Sequence, residues 1–140
     1  MSIDWAGAVA PDLAAFEIMA DEAFAALPEA FRLLAGGVAL QIDDFPSEEV
    51  CQELGAESEF DILGLFTGIG LAQGEATPRT GQMPNIVHLY RRPILDYWAE
   101  HDEALGAIVT HVLVHEIGHH LGLSDDDMEA IEAAADAPEA

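Results

Sequence analysis

The segment 111–128, HVLVHEIGHHLGLSDDDM, constrains this chain most, because it combines four histidines with a regularly spaced apolar run. Leu105, Ile108 and Val112 recur at three- and four-residue steps, which predicts a helix from about residue 102 to residue 123. These apolar residues and the metal-ligand side chains share one face of that helix. We therefore expect the helix to lie in the core, with its polar end at a cleft.

The order His115-Glu116-Ile117-Gly118-His119 forms the pattern HExxH. Side chains four positions apart on a helix lie about 40° apart around the axis and about 6 Å along it. Two imidazoles so placed can converge on one metal ion. Glu116 lies about 100° from the first histidine, where a carboxylate can reach a water on the metal without binding the metal itself. The pattern favours a catalytic metal site over a structural one, which is usually rich in cysteine.

Gly122 comes three positions after the second histidine, where a helix can end in a left-handed residue. The chain can then turn back, and Asp125 completes the longer pattern HExxHxxGxxD. Ser124 is also a good N-cap, and aspartates in a first helical turn favour the helix dipole without any metal. Asp126 and Glu129 therefore remain alternatives for the third ligand.

The pattern resembles the small bacterial zincin-like metallopeptidase family, whose members are minimal one-lobe relatives of the metzincins. Looser similarity extends over the segments FEIMADEAFAALPEAFRLLAGGVALQIDDFP, LGLFTGIGL and VHLYRRPIL. The resemblance implies that His115, His119 and Asp125 bind Zn²⁺. It implies peptide-bond hydrolysis by a metal-activated water, with Glu116 as general base. The implied fold is α+β and zincin-like, with a small three-stranded mixed sheet, an active-site helix and flanking helices.

The chain departs from the larger metzincins, in which the third ligand is usually histidine and a separate lobe supplies a methionine beneath the metal. Here an aspartate stands in that place, and only 15 residues follow it. Met128 is interpreted as a core methionine, with the role beneath the metal as the alternative. His111 is expected to pack or to support the site rather than bind the metal, and His120 to pack or lie on the surface.

The rest of the chain predicts five further helices and three strands, in one domain of residues 1–140. The helices are expected in 11–34, where Pro28 begins a second one, between Ser47 and Gly55, from Pro93 to Trp98, and after Ser124. The strands are expected at 38–45, 60–68 and 85–92. Residues 68–84 are rich in glycine and proline and predict a loop. Its glycines are followed by no lysine, so we expect no nucleotide site there.

The chain has 27 acidic residues against four arginines and no lysine, for a formal net charge of −23. Such a charge repels phosphate backbones and anionic lipids, so we expect no nucleic-acid or membrane partner. No apolar run approaches the roughly 20 residues that cross a bilayer. The start of the chain lacks a basic signal region, and the lone cysteine can form no internal disulfide, which favours a cytoplasmic protein. Arg91 and Arg92 are expected to pair with acids rather than with a substrate carboxylate.

The leading interpretation is a zinc-dependent metallopeptidase that acts on peptides or unfolded proteins. By the resemblance, the substrate pairs with an edge strand near residues 62–67. One alternative is a non-catalytic protein that keeps the zinc site for a structural or regulatory role, because a one-lobe cleft has a single wall. Another is a metal-free interaction module with a basic partner. The oligomeric state is left open.

Overall fold

The computed structural model describes residues 4–68 and 85–136, which form six α-helices and one three-stranded sheet. In chain order the elements are α1 Leu13–Ala25, α2 Glu29–Ala35, β1 Val38–Asp43, α3 Glu48–Leu54, β2 Gly64–Thr67, β3 Asn85–Tyr90, α4 Arg91–Glu100, α5 Leu105–Leu121 and α6 Asp125–Asp136. The predicted α+β class is confirmed. The loop predicted at 68–84 lies, apart from its first residue, outside the described residues. None of the described helices is long and apolar enough to cross a membrane.

The sheet has the order β1-β3-β2, with β3 in the middle. β1 runs parallel to β3, with Val38 opposite Asn85, and β2 runs antiparallel to β3, with Gly64 opposite Leu89. The sheet is therefore mixed, as the resemblance implied. Within the described residues, β2 forms one edge of the sheet and packs against α5.

Helix α5 is the centre of the domain, since α1, α2, α4, α6 and strands β2 and β3 all pack on it. Its buried residues are Ile108, Val109, Val112, Leu113, Val114, Ile117 and Gly118. All of them except Gly118 meet Phe16 and Ala20 of α1 and Val87 and Leu89 of β3 in one apolar cluster. Burial of this many apolar side chains holds the helix in place, and it orients the histidines that share its surface.

The helix ends agree with several sequence predictions. Gly122 ends α5 with a φ of 77°, in the left-handed conformation, and Gly55 ends α3 with a φ of 68°. Ser47 accepts a hydrogen bond from the N–H of Val50 at 3.1 Å. Ser124 likewise accepts one from the N–H of Asp127 at 3.1 Å. The predicted caps of α3 and α6 are confirmed.

Several boundaries differ from the prediction. Helix α5 begins at Leu105, because the residues before it form a bend in which Glu103 accepts a hydrogen bond from the Tyr97 hydroxyl. β3 ends at Tyr90, and the two arginines after it open α4. Pro93 therefore lies in the first turn of α4, where its missing N–H has no partner to lose. Residues 59–61 form a short 3-10 turn before β2 instead of strand.

The paired arginines bind groups of the protein itself. Arg91 forms an ion pair with Asp44 at 2.9 Å and donates to the carbonyl of Pro11 at 2.6 Å. The guanidinium of Arg92 lies 5.4 Å from the ring centroid of Phe45. The prediction that Arg91 pairs with a nearby acid is confirmed, and the contact ties the start of α4 to the end of β1.

Gly118 lies in the HExxH turn of α5 and lets α6 approach closely. A Cβ built at Gly118 would lie 2.8 Å from Cγ of Met128, a residue of α6 that is fully buried. Gly106, near the start of the same helix, has open space at the equivalent point. Close packing against α6 therefore requires glycine at position 118, whereas position 106 has room for a larger side chain.

We predict opposite effects of alanine at these two positions. Gly118→Ala forces the Met128 side chain out of its place and lowers the free energy of unfolding by about 1–3 kcal/mol. Gly106→Ala raises it by up to about 1 kcal/mol, because alanine favours the helix and no neighbour is displaced. Urea unfolding of the two variants in EDTA measures both changes. Equal effects would contradict the packing of Met128 on Gly118.

His88 lies on the face of β3 opposite the buried Val87 and Leu89. Its Nε2 and the Thr67 hydroxyl lie 3.0 Å apart and share a hydrogen bond that joins β2 to β3. Burial lowers the pKa of His88 below its ordinary value, while the charge of Asp43 opposes this. The folded protein therefore takes up a proton at His88 less readily than the unfolded chain does.

This difference predicts a pH-dependent loss of stability. Above the unfolded pKa of about 6.5, His88 is neutral in both the folded and the unfolded state, so it contributes nothing to the pH dependence of stability. As the pH falls below it, the unfolded state gains a proton first, so the free energy of unfolding decreases. Between pH 7.5 and 5.5 we expect the free energy of unfolding to fall by a few tenths of a kcal/mol more in wild type than in His88→Gln. The difference is small because solvent screens the half-exposed ring. Urea unfolding at several pH values checks this, and parallel pH profiles would exclude it.

Candidate metal centre

Three histidines follow one another at one-turn intervals along α5: His111, His115 and His119. The ring centroids of His111 and His115 lie 4.0 Å apart. Those of His115 and His119 lie 5.6 Å apart, with the ring planes at 85°. His111 and His119 are exposed, while His115 and its neighbour Glu116 are half-buried. His115 is therefore the centre of the row and has an imidazole neighbour on each side.

Glu132 of α6 lies against this row. One carboxylate oxygen accepts a hydrogen bond from Nδ1 of His111 at 2.9 Å, and the other lies 3.2 Å from Nε2 of His115. In the described part of the chain, these three residues form a group whose ligand atoms all lie within 4.8 Å of one another. The sequence analysis missed Glu132, although its position two turns after Asp125 puts both on one face of α6.

Asp125, the predicted third ligand, opens α6 on the same side. An open cleft of about 560 Å³ is lined by His111, His115, Asp125, Glu129 and Glu132. His119 does not line this cleft, and the ligand atoms of His115, His119 and Asp125 do not gather within 4.8 Å. The structure thus brings Asp125 and His115 to one cleft and leaves His119 beyond it. The ligand set of the sequence analysis stays a prediction.

Glu116 lies on the side of α5 that faces β2. A Cβ at Gly64 would lie 2.5 Å from Cγ1 of Val112 and 3.5 Å from Cγ of Glu116, so only glycine lets β2 come this close. Burial raises the pKa of the Glu116 carboxyl, while the charge of His119 and the backbone of Phe66 oppose this. The carboxyl therefore holds a proton more readily than an exposed glutamate does.

A second cleft, of about 400 Å³, joins β2 to the histidine row. Its lining is Leu54, Asp61, Ile62, Leu63, Gly64, His111, Val112, His115 and Glu116. It contains the start of the segment 62–67, where the sequence analysis placed the substrate edge. An extended peptide in this cleft would contact both β2 and the Glu116 carboxyl. The pairing of a substrate with β2 stays a prediction.

Two further side chains of the motif have structural contacts. His120 is exposed and stacks on Phe66 of β2, with ring centroids 4.0 Å apart, as expected of a surface histidine. Met128 belongs to the apolar core cluster and packs against Gly118. These contacts join α5 to β2 on one side and to α6 on the other.

A model of zincin-like metallopeptidases matches residues 35–135, which include the whole HExxHxxGxxD segment and all three strands. The chain belongs to the zincin-like metallopeptidase family. Membership supports a metal-dependent peptidase at the level of the family, with a divalent metal, usually zinc, and a peptide or protein substrate. No curated protein matches the chain. The imidazole and carboxylate donors of the first cleft fit a divalent transition metal.

His115 is the histidine common to the predicted ligand set and the group around Glu132. We therefore predict that His115→Ala abolishes stabilisation by zinc. In wild type, zinc at about 100 times its dissociation constant raises the free energy of unfolding by about 2.7 kcal/mol. Thermal unfolding with zinc and with EDTA measures the difference. His101→Ala is the control, since His101 stacks on Tyr97 at the end of α4. A full zinc response in His115→Ala would contradict the prediction.

Proposed function

We propose that this protein is a zinc-dependent peptidase in which His115, His119 and Asp125 bind the metal and Glu116 is the general base. The observation that carries the proposal is the position of Glu116. Its half-buried carboxyl has a raised pKa, follows a histidine of the metal motif and lines a cleft beside β2. A carboxyl of that kind is suited to proton transfer next to a bound peptide.

The donor set supports zinc among the divalent metals. Imidazole nitrogen with carboxylate oxygen suits zinc, and three protein ligands leave room for water and substrate. A bound ion there supplies Lewis acidity, which makes water more acidic and polarises the peptide carbonyl. Two of the proposed ligands lie on the rigid helix α5, and the third follows the left-handed turn at Gly122.

Glu116 accounts for the movement of the proton. Its carboxylate accepts a proton from the attacking water and then donates it to the departing amine nitrogen as the C–N bond breaks. Burial raises the pKa of the Glu116 carboxyl towards neutral pH, so that the same group can both accept the proton from water and donate it to the amine.

Strand β2 is proposed to bind the substrate. As the edge of the described sheet, it can offer backbone N–H and C=O groups to an extended peptide, which joins as a further strand. Gly64 and the apolar residues before it line the cleft that leads to Glu116. Pairing through the backbone requires an extended chain but few particular side chains. Peptides and unfolded proteins are therefore the proposed substrates.

One observation favours a second candidate, a non-catalytic zinc protein. The Glu132 carboxylate lies 3.2 Å from Nε2 of His115, close enough to act as a further protein ligand. A site closed by four protein ligands is typical of structural zinc. Absence of hydrolysis by fully zinc-loaded wild type across a broad peptide library would favour this candidate.

The peptidase proposal predicts separate effects for base and ligand. Glu116→Gln keeps the size of the side chain and removes the base, so kcat/KM for a peptide falls by about 10²–10⁴-fold while zinc stays bound. His119→Ala lowers zinc affinity as well as activity. Peptide hydrolysis and zinc content of the purified variants measure both effects.

The control for Glu116→Gln is Glu22→Gln, which makes the same chemical change at an exposed position of α1. It is expected to keep wild-type activity and zinc content. Metal-dependent hydrolysis that survives Glu116→Gln unchanged would reject Glu116 as the base.

A further inference from the structure

We propose that His111, His115 and Glu132 form a divalent-cation site of their own, which shares His115 with the zinc ligands proposed above. The site is distinct from the HExxHxxGxxD set, because Glu132 lies beyond that motif and His111 precedes it. It binds borderline transition-metal ions such as Zn²⁺ or Co²⁺. The proposal goes beyond peptidase activity and does not depend on it.

The three side chains lie close enough together to bind one metal ion. The two Glu132 oxygens lie 2.9 Å from His111 Nδ1 and 3.2 Å from His115 Nε2, and one ligand atom from each residue falls within 4.8 Å of the others. Metal–nitrogen and metal–oxygen bonds of about 2.0–2.2 Å place ligand atoms roughly 3–4 Å apart around one ion. Small side-chain rotations therefore suffice to bind an ion in place of the shared hydrogen bonds.

The supporting backbone is rigid. His111 and His115 are separated by one turn of the most buried helix, and their rings lie 4.0 Å apart. Glu132 is held opposite them because α6 is packed on α5 through Met128 and begins at the Ser124 cap. Side chains that need little reordering lose little conformational entropy when an ion binds.

The charge of the cleft favours a cation. Besides Glu132, the carboxylates of Asp125 and Glu129 line it, and none of the described residues in its lining is an arginine. A divalent ion takes the place of the N–H donors that hold the Glu132 carboxylate, and it is attracted by the two further acids. Because two of the three ligands are imidazoles, the site selects Zn²⁺, Co²⁺ or Ni²⁺ over Mg²⁺ and Ca²⁺, which prefer oxygen.

The shared histidine has a consequence for occupancy. Nε2 of His115 faces Glu132, so an ion bound there occupies the ring that the other set also needs. One ion therefore binds either to His111, His115 and Glu132 or to the HExxHxxGxxD set. The two sets cannot be occupied at the same time. Wild type is expected to bind one equivalent of Co²⁺ tightly, and two tight equivalents would overturn the sharing of His115.

The test removes the HExxHxxGxxD set and retains the proposed site. We expect the double variant His119→Ala/Asp125→Asn to bind one equivalent of Co²⁺, followed by visible absorption. Adding Glu132→Gln is expected to weaken binding by at least about 100-fold, since loss of a residue that merely supports a ligand already costs about 10- to 100-fold. The control is Glu22→Gln in the same background, which makes the same chemical change at an exposed position of α1. It is expected to change the affinity less than about threefold, because Glu22 lies outside the residues that line the cleft.

The proposal is overturned if the double variant binds no Co²⁺, or if Glu132→Gln and Glu22→Gln weaken binding equally. Thermal unfolding in EDTA establishes that each variant folds. Should the double variant not fold, His119→Gln alone takes its place in the same comparison, since His119 is exposed. Co²⁺ binding is measured without any peptide, so absence of peptidase activity leaves this result unaffected.

Discussion

The burial of α5 is the constraint on which the rest of the structure depends. Four other helices and two strands pack on this helix, and nearly every apolar residue along it belongs to the core cluster. A helix so enclosed cannot rotate or slide without exposing that surface to water. The packing of the apolar residues therefore fixes where the histidines lie on the remaining face of the helix, and Glu132 contacts the rings of His111 and His115.

Close packing on both sides of α5 builds the two clefts. On one side Gly64 lets β2 approach Val112 and Glu116, and on the other Gly118 accepts Met128 of α6. The first contact brings a strand edge to the half-buried Glu116, and the second brings three carboxylates and two imidazoles to one cleft. A small domain can thus present proton-transfer and metal-binding groups on adjacent faces of a single helix.

The strongly acidic composition of the chain has a local consequence in the cleft between α5 and α6, where three acidic residues lie beside two histidines. Most acids on the surface are screened by salt, but Glu132 in this cleft lies at hydrogen-bond distance from two imidazoles. The family requires a divalent metal, and the same carboxylates that attract one can also compete for the histidines. Asp125 and Glu132 therefore both bring a carboxylate to the cleft that His115 lines.

Elements whose signals are local could be predicted from the amino-acid sequence alone. Regular apolar spacing predicted α5, serine before an acidic turn predicted the starts of α3 and α6, and glycine in the left-handed region predicted the ends of α3 and α5. The α+β class and the family followed from the order of these elements and from the HExxHxxGxxD pattern. Three features arise from tertiary packing: β3 is the central strand, Gly64 lies over Glu116, and Glu132 meets His111 and His115. Those contacts join residues distant in the chain, and they depend on how whole elements pack, which no short-range pattern encodes.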